Sequence, residues 1–354
     1  MLSLHLITSV IIYFLAGICL FLVSLNRFSI LLKDGWFKTV LIVFSFLLLI
    51  SGSLLAGVWL PYKPWIIIPQ IALGLIILGE IRRIIIRKSI ISYSPEDSSS
   101  GSINVCKPIT TTDIEVKRYQ ISLPNWFGRP FRIVHLSDLH VHSTLPSEYF
   151  ENVLNIAELT KADFAFFTGD FITNLSYLSK LKKILRPIGK QGTFAVLGNH
   201  DYWADSEAVG TVVKDCGLTL LINESIETEI DGHKITISGY DYPWGTKKEI
   251  PPMPPNNILH LVLSHTPDNI YKLAKSKTDV VFSGHNHGGQ IRIPYLGALV
   301  VPSIFGRRFD LGHFVVNRLH LFVSSGVGTA IPSWRIYCRP DIMVIDISGE
   351  HQES

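Results

Sequence analysis

Five short apolar runs in this chain each end in a small cluster of polar residues. The stretches that contain the runs and their clusters are residues 131–140, 162–171, 192–201, 258–268 and 279–287, and the clusters are SDLH, TGD, GNHD, SH and SGHNH. Amphipathic stretches such as residues 148–160 alternate with the first of these runs, which predicts strands alternating with helices. Ligand sites in α/β sheets form beyond the carboxyl ends of the strands. The pattern therefore predicts an α/β domain with chemically active side chains along one rim.

The residues that this rim would collect are those that bind metals in proteins. They are Asp138, His140, Asp170, Asn199, His200, His265, His285 and His287. His285 and His287 stand two positions apart in SGHNHGGQI, so in an extended segment both imidazoles point to the same side. A simple turn is the alternative for these two alone, because glycines follow them. Similar clusters at five strand ends favour a shared metal site, since imidazole is the commonest metal ligand.

Three long apolar runs precede this domain, at residues 4–25, 39–60 and 64–81. The first two match the length of about 20 residues that a bilayer span requires, and the third is slightly shorter. Buried core helices are the alternative, but they rarely extend this far without polar periodicity. We predict an all-α transmembrane region over residues 1–88, a Ser/Thr-rich linker over 89–112 and a soluble domain over 113–354.

Basic residues between and after the apolar runs predict the orientation. Between the first two runs lie Arg27, Lys33 and Lys38, only Lys63 lies between the next two, and the third is followed by Arg82, Arg83, Arg87 and Lys88. Basic flanks stay in the cytoplasm. The chain is therefore predicted to be a multi-pass protein of the inner (plasma) membrane with its soluble domain in the cytoplasm.

Charge and cysteine content exclude several classes of protein. A net charge of +3 gives no indication of a nucleic-acid partner, and none is expected. Four scattered cysteines form neither a disulfide framework nor a zinc-finger pattern. The sequence also lacks the GxxxxGK[ST] phosphate loop and the GxSxG nucleophile elbow.

Taken in order, the blocks DLH, GD, GNHD, SH and GHNH resemble the calcineurin-like metallophosphoesterase superfamily over about residues 131–347. Within it, SDLH, GHNHGGQI and RIYCRPDIMVIDI are most similar to a bacterial membrane-associated branch that includes UDP-2,3-diacylglucosamine hydrolases. The resemblance implies two facing mixed β-sheets flanked by helices. It also implies two divalent metal ions per chain at the strand ends, with Mn favoured and Fe, Zn or Ni as alternatives.

The resemblance further implies a role for each rim residue. It assigns one ion to Asp138, His140 and His287, the second to Asn199, His265 and His285, and a bridging position to Asp170. A hydroxide between the ions would attack phosphorus in line. His200 would steady or protonate the leaving oxygen, while Asp201 would either orient that ring or cap a helix.

These features predict a membrane-anchored, metal-dependent phosphoesterase acting on a phosphodiester or pyrophosphate. A lipid-linked pyrophosphate such as UDP-2,3-diacylglucosamine is the favoured substrate, and soluble nucleotides or small phosphoesters are the alternative. A catalytically inactive membrane sensor or scaffold would be expected to lack a ligand, whereas all seven are present. The apolar stretch 293–309, with Phe305, Arg307 and Arg308, is predicted either to contact acyl chains and phosphate or to form a sheet edge.

Overall fold

The computed structural model of the chain describes residues 4–32, 35–60, 66–99, 105–245, 255 and 258–350. The helices are α1 (Leu4–Leu31), α2 (Trp36–Phe46), α3 (Gly52–Trp59), α4 (Ile67–Lys88), α5 (Ser147–Leu159), α6 (Leu178–Ile184), α7 (Asn199–Asp215) and α8 (Ile270–Leu273). The first eight strands are β1 (Ile91–Tyr93), β2 (Asp97–Ser98), β3 (Glu115–Leu123), β4 (Phe131–Leu136), β5 (Phe164–Thr168), β6 (Gly192–Val196), β7 (Thr219–Leu220) and β8 (Ser225–Ile230). The remaining strands are β9 (His233–Gly239), β10 (Leu259–Leu263), β11 (Val280–Ser283), β12 (Arg292–Ile293), β13 (Gly297–Ala298), β14 (Gly312–Val316), β15 (Leu319–Val323) and β16 (Asp341–Gly349).

The first structural unit contains α1 to α4 together with residues 299–308. A π-helical segment, Leu47–Ser51, joins α2 to α3. The resulting helix packs closely on α1, because a Cβ atom at Gly17 would lie 2.3 Å from the carbonyl oxygen of Leu49. Such close backbone approach at small residues is typical of helix pairs in membranes. Leu4–Phe28 and Trp36–Trp59 are long and apolar enough to cross a bilayer.

The third apolar run forms α4, which extends to Lys88 rather than ending near residue 81. The last third of α4 contains several charged residues. Residues 64 and 65 of the predicted span lie outside the described residues. Glu80 of α4 forms an ion pair with Arg307, and Arg87 donates a hydrogen bond of 2.8 Å to the carbonyl oxygen of Arg307. The segment 299–308 is therefore fastened to the helices by polar contacts, which the sequence did not predict.

The second unit comprises Ile90–Ala298 and the chain from Phe309 onward. It contains two seven-stranded sheets, in the orders β1-β14-β15-β11-β10-β9-β8 and β2-β3-β16-β4-β5-β6-β7. Both sheets are mixed, since each combines parallel and antiparallel pairs. The predicted pair of mixed sheets with flanking helices is confirmed.

Strand β5 shows how the sequence produces these layers. All five residues of its FAFFT sequence are buried, as expected for a strand covered on both faces. Phe164 and Phe166 belong to the core between the two sheets, where the Phe166 ring lies edge-on to that of Phe282 at 4.9 Å. Ala165 and Phe167 belong to the other core, which α5, α6 and α7 cover. Successive side chains of β5 point to opposite faces of the sheet, so the strand contributes to both cores.

Parallel pairing aligns the ends of the strands that carry the polar clusters. β4, β5 and β6 run parallel in one sheet, and β10 and β11 run parallel in the other. Within the predicted linker 89–112, β1 pairs with β14 and β2 pairs with β3, while residues 100–104 lie outside the described part of the chain.

Candidate metal centre

Each predicted ligand lies in the first turn of chain after one of the five strands. Asp138 and His140 follow β4, Asp170 follows β5, Asn199 begins α7 after β6, His265 follows β10, and His285 and His287 follow β11. The structure brings the acidic and imidazole side chains together in two groups, Asp138–His140–Asp170–His287 and Asp170–His265–His285. Within each group, the candidate ligand atoms lie within 4.8 Å of one another. Asp170 belongs to both groups.

The first group is almost completely buried. The Nε2 atoms of His140 and His287 face each other at 3.0 Å. His140 Nε2 lies 3.3 Å from Asp170 Oδ2, and His287 Nε2 lies 3.3 Å from Asp138 Oδ1. Two imidazole nitrogens that converge between two carboxylates form a donor set of the kind that holds a divalent cation.

The second group is oriented by the backbone. The Nδ1 atom of His265 lies 2.5 Å from the carbonyl oxygen of Thr168, which only accepts, so His265 carries its proton on Nδ1. Its Nε2 is left facing Asp170 Oδ2 at 3.2 Å and Asn199 Oδ1 at 3.1 Å. With a proton retained on Nδ1, Nε2 is the atom that can bind a metal ion once its own proton is lost.

Five of the candidate ligands have a left-handed backbone. Positive φ angles occur at Asp138 (52°), His140 (43°), Asp170 (55°), His285 (66°) and His287 (48°). This region is uncommon for residues other than glycine and costs on the order of 1–3 kcal/mol for each residue. The surrounding loops hold these residues in strained conformations, as is typical of functional sites.

Glycine is required where one ligand loop approaches another. A Cβ atom at Gly284 would lie 1.8 Å from Ser137 Oγ and 2.2 Å from Asp138 Oδ2. His285, the next residue, donates its backbone N–H to both carboxylate oxygens of Asp138 at 3.0 and 3.1 Å. The close approach therefore couples the β4 and β11 loops.

The pKa values of the clustered side chains are shifted by burial and by the charges of their neighbours. Burial lowers the pKa of His265, but the carboxylates of Asp170 and Asp138 outweigh burial and raise it to about 9. Burial tends to raise the pKa of Asp170, yet the charge of His265 keeps it well below its usual value. Burial raises the pKa of Asp138 and, together with His140, lowers that of His287. A divalent cation would replace protons here, and its binding would release them.

The donor set fits two divalent ions that share one carboxylate. Both groups combine imidazole nitrogen with carboxylate oxygen, and Asp170 can offer an oxygen to each. The orphaned His140 Nδ1 is the one mismatch, since it is buried without a partner among the described residues. A ligating histidine usually has a partner for that atom.

His200 and Asp201 occupy different positions relative to this cluster. The His200 side chain is half-buried, with its ring 4.6 Å from that of His140 and its backbone N–H donated to Asp170 Oδ1 at 2.8 Å. Asp201 is completely buried at the start of α7. Its carboxylate accepts backbone N–H groups from Gly198, Phe171 and Ile172, so it joins the β5 and β6 loops.

The comparisons with known proteins agree with this geometry. The profile of the Calcineurin-like phosphoesterase family matches residues 131–289, which include every candidate ligand. The metallophosphoesterase YkoQ of Bacillus subtilis, itself uncharacterized, is 30% identical over 242 residues, which are 64% of this chain and 89% of its own. The chain belongs to the calcineurin-like phosphoesterase family.

Other members of the calcineurin-like phosphoesterase family carry more specific names. Phosphodiesterase YaeI of Escherichia coli is 26% identical over 257 residues, covering 71% of this chain and 93% of its own. The UDP-2,3-diacylglucosamine pyrophosphatase LpxG of Chlamydia muridarum is 26% identical over 300 residues, covering 66% and 88%. The chain is thus a metallophosphoesterase, a hydrolase of phosphoester bonds whose family uses divalent metals.

The three predicted substrate contacts lie in the other structural unit. Phe305, Arg307 and Arg308 belong to the segment 299–308, whereas the metal ligands belong to the two-sheet unit. Arg307 pairs with Glu80, and the Arg308 guanidinium lies 5.6 Å from the centre of the Phe305 ring. Their role as substrate contacts stays a prediction.

Sequence reasoning assigned no role to Arg335, which lies beyond the matched part of this calcineurin-like phosphoesterase. Its guanidinium is completely buried and donates to the carbonyl oxygens of Ser325, Gly326 and Gly328 at 2.6–3.0 Å. It also lies 3.5 Å from Nδ1 of His287. Among the described residues, no carboxylate pairs with it. The only signal in the sequence is its place in the RIYCRPDIMVIDI block.

Proposed function

We propose that this chain hydrolyses a lipid-linked phosphodiester or pyrophosphate, such as UDP-2,3-diacylglucosamine, at a centre of two divalent ions. The observation that carries the two-ion centre is the position of Asp170 in both ligand groups. Two bound ions supply charge for the phosphoryl oxygens and make water nucleophilic at neutral pH. Manganese is the proposed metal, since a mixed nitrogen and oxygen donor set accommodates it.

The protein's own residues divide the remaining work. Asp138, His140 and His287 would hold one ion, and Asn199, His265 and His285 the other. The half-buried His200 is the proposed group that steadies or protonates the leaving oxygen, because its ring borders the cluster and is partly exposed. Asp201 would act through the loop geometry, since its oxygens are taken up by backbone N–H groups.

Three observations support a lipid-linked substrate. Two N-terminal helices are long and apolar enough to cross a membrane. Segment 299–308 belongs to the same unit as these helices and exposes apolar side chains such as Ile304. The relative named as a UDP-2,3-diacylglucosamine pyrophosphatase is 26% identical.

The proposed orientation places the phosphoesterase domain in the cytoplasm of a multi-pass inner-membrane protein. The basic residues between the first two apolar runs and at the end of α4 support it. Protease added to intact spheroplasts tests the orientation. The domain should be protected until the cells are lysed, and digestion from outside would reverse the assignment.

Acyl dependence tests the lipid proposal. Each buried methylene contributes about 0.8 kcal/mol, so several should raise kcat/KM by orders of magnitude. UDP-2,3-diacylglucosamine, its deacylated analogue and bis-p-nitrophenyl phosphate would be compared with Mn in matched detergent. F305D should lower kcat/KM only for the acylated substrate. F127D, at an exposed phenylalanine of the two-sheet unit, is the matched control.

Equal cleavage of the acylated and deacylated compounds would contradict the lipid proposal. The chain would then be a phosphodiesterase of soluble nucleotides or small phosphoesters, which is the second candidate function. The name of the phosphodiesterase relative favours that candidate.

A further inference from the structure

Two half-exposed tryptophans flank the metal cluster. Trp203 lies three residues after His200 in α7, and the two ring centres are 4.9 Å apart. Trp244 follows β9, with its ring 4.9 Å from that of His285 and 5.5 Å from that of His265. One indole therefore borders the proposed leaving-group histidine, and the other borders the second ligand group.

A buried carboxylate ties the two tryptophan-bearing segments together. Tyr202, beside Trp203, donates its hydroxyl to Oδ2 of Asp241. Burial and this carboxylate raise the pKa of Tyr202, so the donor keeps its proton at neutral pH. Asp241 in turn accepts the backbone N–H groups of Trp244 and Gly245 on its carbonyl oxygen, each at 3.1 Å. Hydrogen bonds through Asp241 thus connect the segment that carries Trp203 to the segment that carries Trp244.

We propose that Trp203 and Trp244 form a binding subsite for a planar heteroaromatic ring that is linked to the phosphate under attack, as in a nucleotide. This inference rests on the proposed phosphodiester function and extends it to the group beside the phosphate. The proposed metal cluster would hold the charged phosphoryl group, and the two half-exposed indoles border its histidines with flat apolar rings. Stacking of a base on an aromatic side chain contributes about 1–3 kcal/mol, or about 5- to 150-fold in affinity.

The experiment compares two diesters with the same leaving group. Thymidine 5′-(p-nitrophenyl phosphate) carries a base, and methyl p-nitrophenyl phosphate does not. In the full-length protein with Mn, the ratio of their kcat/KM values should favour the thymidine ester by about tenfold or more. W203L and W244L should each reduce that ratio at least about threefold, whereas W203F and W244F should retain most of it.

W334L is the matched control, since Trp334 is an exposed tryptophan whose ring packs against none of the site histidines that the structure describes. Its ratio should equal that of the wild type. An unchanged ratio in both leucine variants would overturn the proposal. An equal loss of kcat/KM for both substrates would also overturn the proposal, because it would mean that the indoles only support the metal ligands.

A binding measurement separates this proposal from the proposed function. Calorimetry with Mn should show that UMP binds at least about fivefold more tightly than ribose 5-phosphate, even if neither diester is cleaved. Absence of cleavage would count against the phosphodiesterase function alone. Equal affinity of the wild type for UMP and ribose 5-phosphate would overturn the subsite. This test needs no leucine variant, so it holds even if those variants do not fold.

Discussion

Asp170 is the residue on which both ligand groups converge. Its Oδ2 lies 3.3 Å from His140 Nε2 and 3.2 Å from His265 Nε2, while Oδ1 accepts the backbone N–H of His200. The same carboxylate thus touches both groups of imidazoles and fixes the start of helix α7, which carries His200.

His200 should contribute to turnover without holding a metal ion. H200A is expected to keep the metal content of the wild type and to lower kcat by about 10²–10⁴. The loss should shrink as the leaving group becomes more acidic, because such a group needs less protonation. Rates on a series of substituted phenyl phosphodiesters measure this dependence. A loss that is equal for all leaving groups would indicate a binding role.

The residues of the centre differ in how far the sequence could predict them. Asp138, His140 and the other ligand candidates follow apolar strands, so their clusters stand out in the sequence. Trp244 and Arg335 lie in irregular segments that reach the centre only through tertiary packing. For Asp201, helix capping and ring orientation were both open, and the structure gives its oxygens backbone N–H partners.

The buried Arg335 connects two of the loops near the strand ends by hydrogen bonds. It joins the loop 325–328 to the β11 loop through the carbonyl oxygens of Gly328 and His287, at 2.6 and 3.4 Å. Gly326 lies so close to Asp138 that a Cβ atom would be 2.7 Å from the aspartate Cβ. Arg335 therefore braces the loops around the first ligand group.

R335M should lower the free energy of unfolding by about 3 kcal/mol or more, because several buried carbonyl groups lose their donor at about 1–3 kcal/mol each. It should also weaken binding of the ion that His287 is proposed to hold, which metal titration of the folded variant measures. R318M, at an exposed turn, is the control and should change neither. Wild-type metal affinity and stability in R335M would contradict this role.

Elements with strong periodicity were predictable, and those held by tertiary contacts were not. Strands β4, β5, β10 and β11 match the apolar runs because burial on both faces leaves a continuous apolar signal. Helix α6 ends at Ile184, because the chain turns extended at Leu185, shortly before Pro187. Helix α7 has a polar sequence with weak apolar periodicity, and the sequence indicated it only through the alternative role of Asp201 as a helix cap.

At the scale of the whole molecule, the chain combines a helical unit with a phosphoesterase unit. The division predicted from the sequence, with a helical region over residues 1–88, a linker over 89–112 and a domain over 113–354, stays a prediction. The structure groups Met1–Ser89 with Leu299–Arg308, and Ile90–Ala298 with the chain from Phe309 onward. The return of residues 299–308 to the helical unit was not predictable, because it depends on ion pairs such as that between Glu80 and Arg307.

Metal content per chain tests the central claim, a centre of two ions that share Asp170. The full-length protein would be stripped with a chelator, titrated with Mn and assayed for ions bound and for hydrolysis of bis-p-nitrophenyl phosphate. The wild type should bind two ions and lose activity when stripped, D138N should mainly lose one ion, and D170N should lose both. A D170N protein that still binds two ions, or a stripped wild type that remains active, would contradict the account.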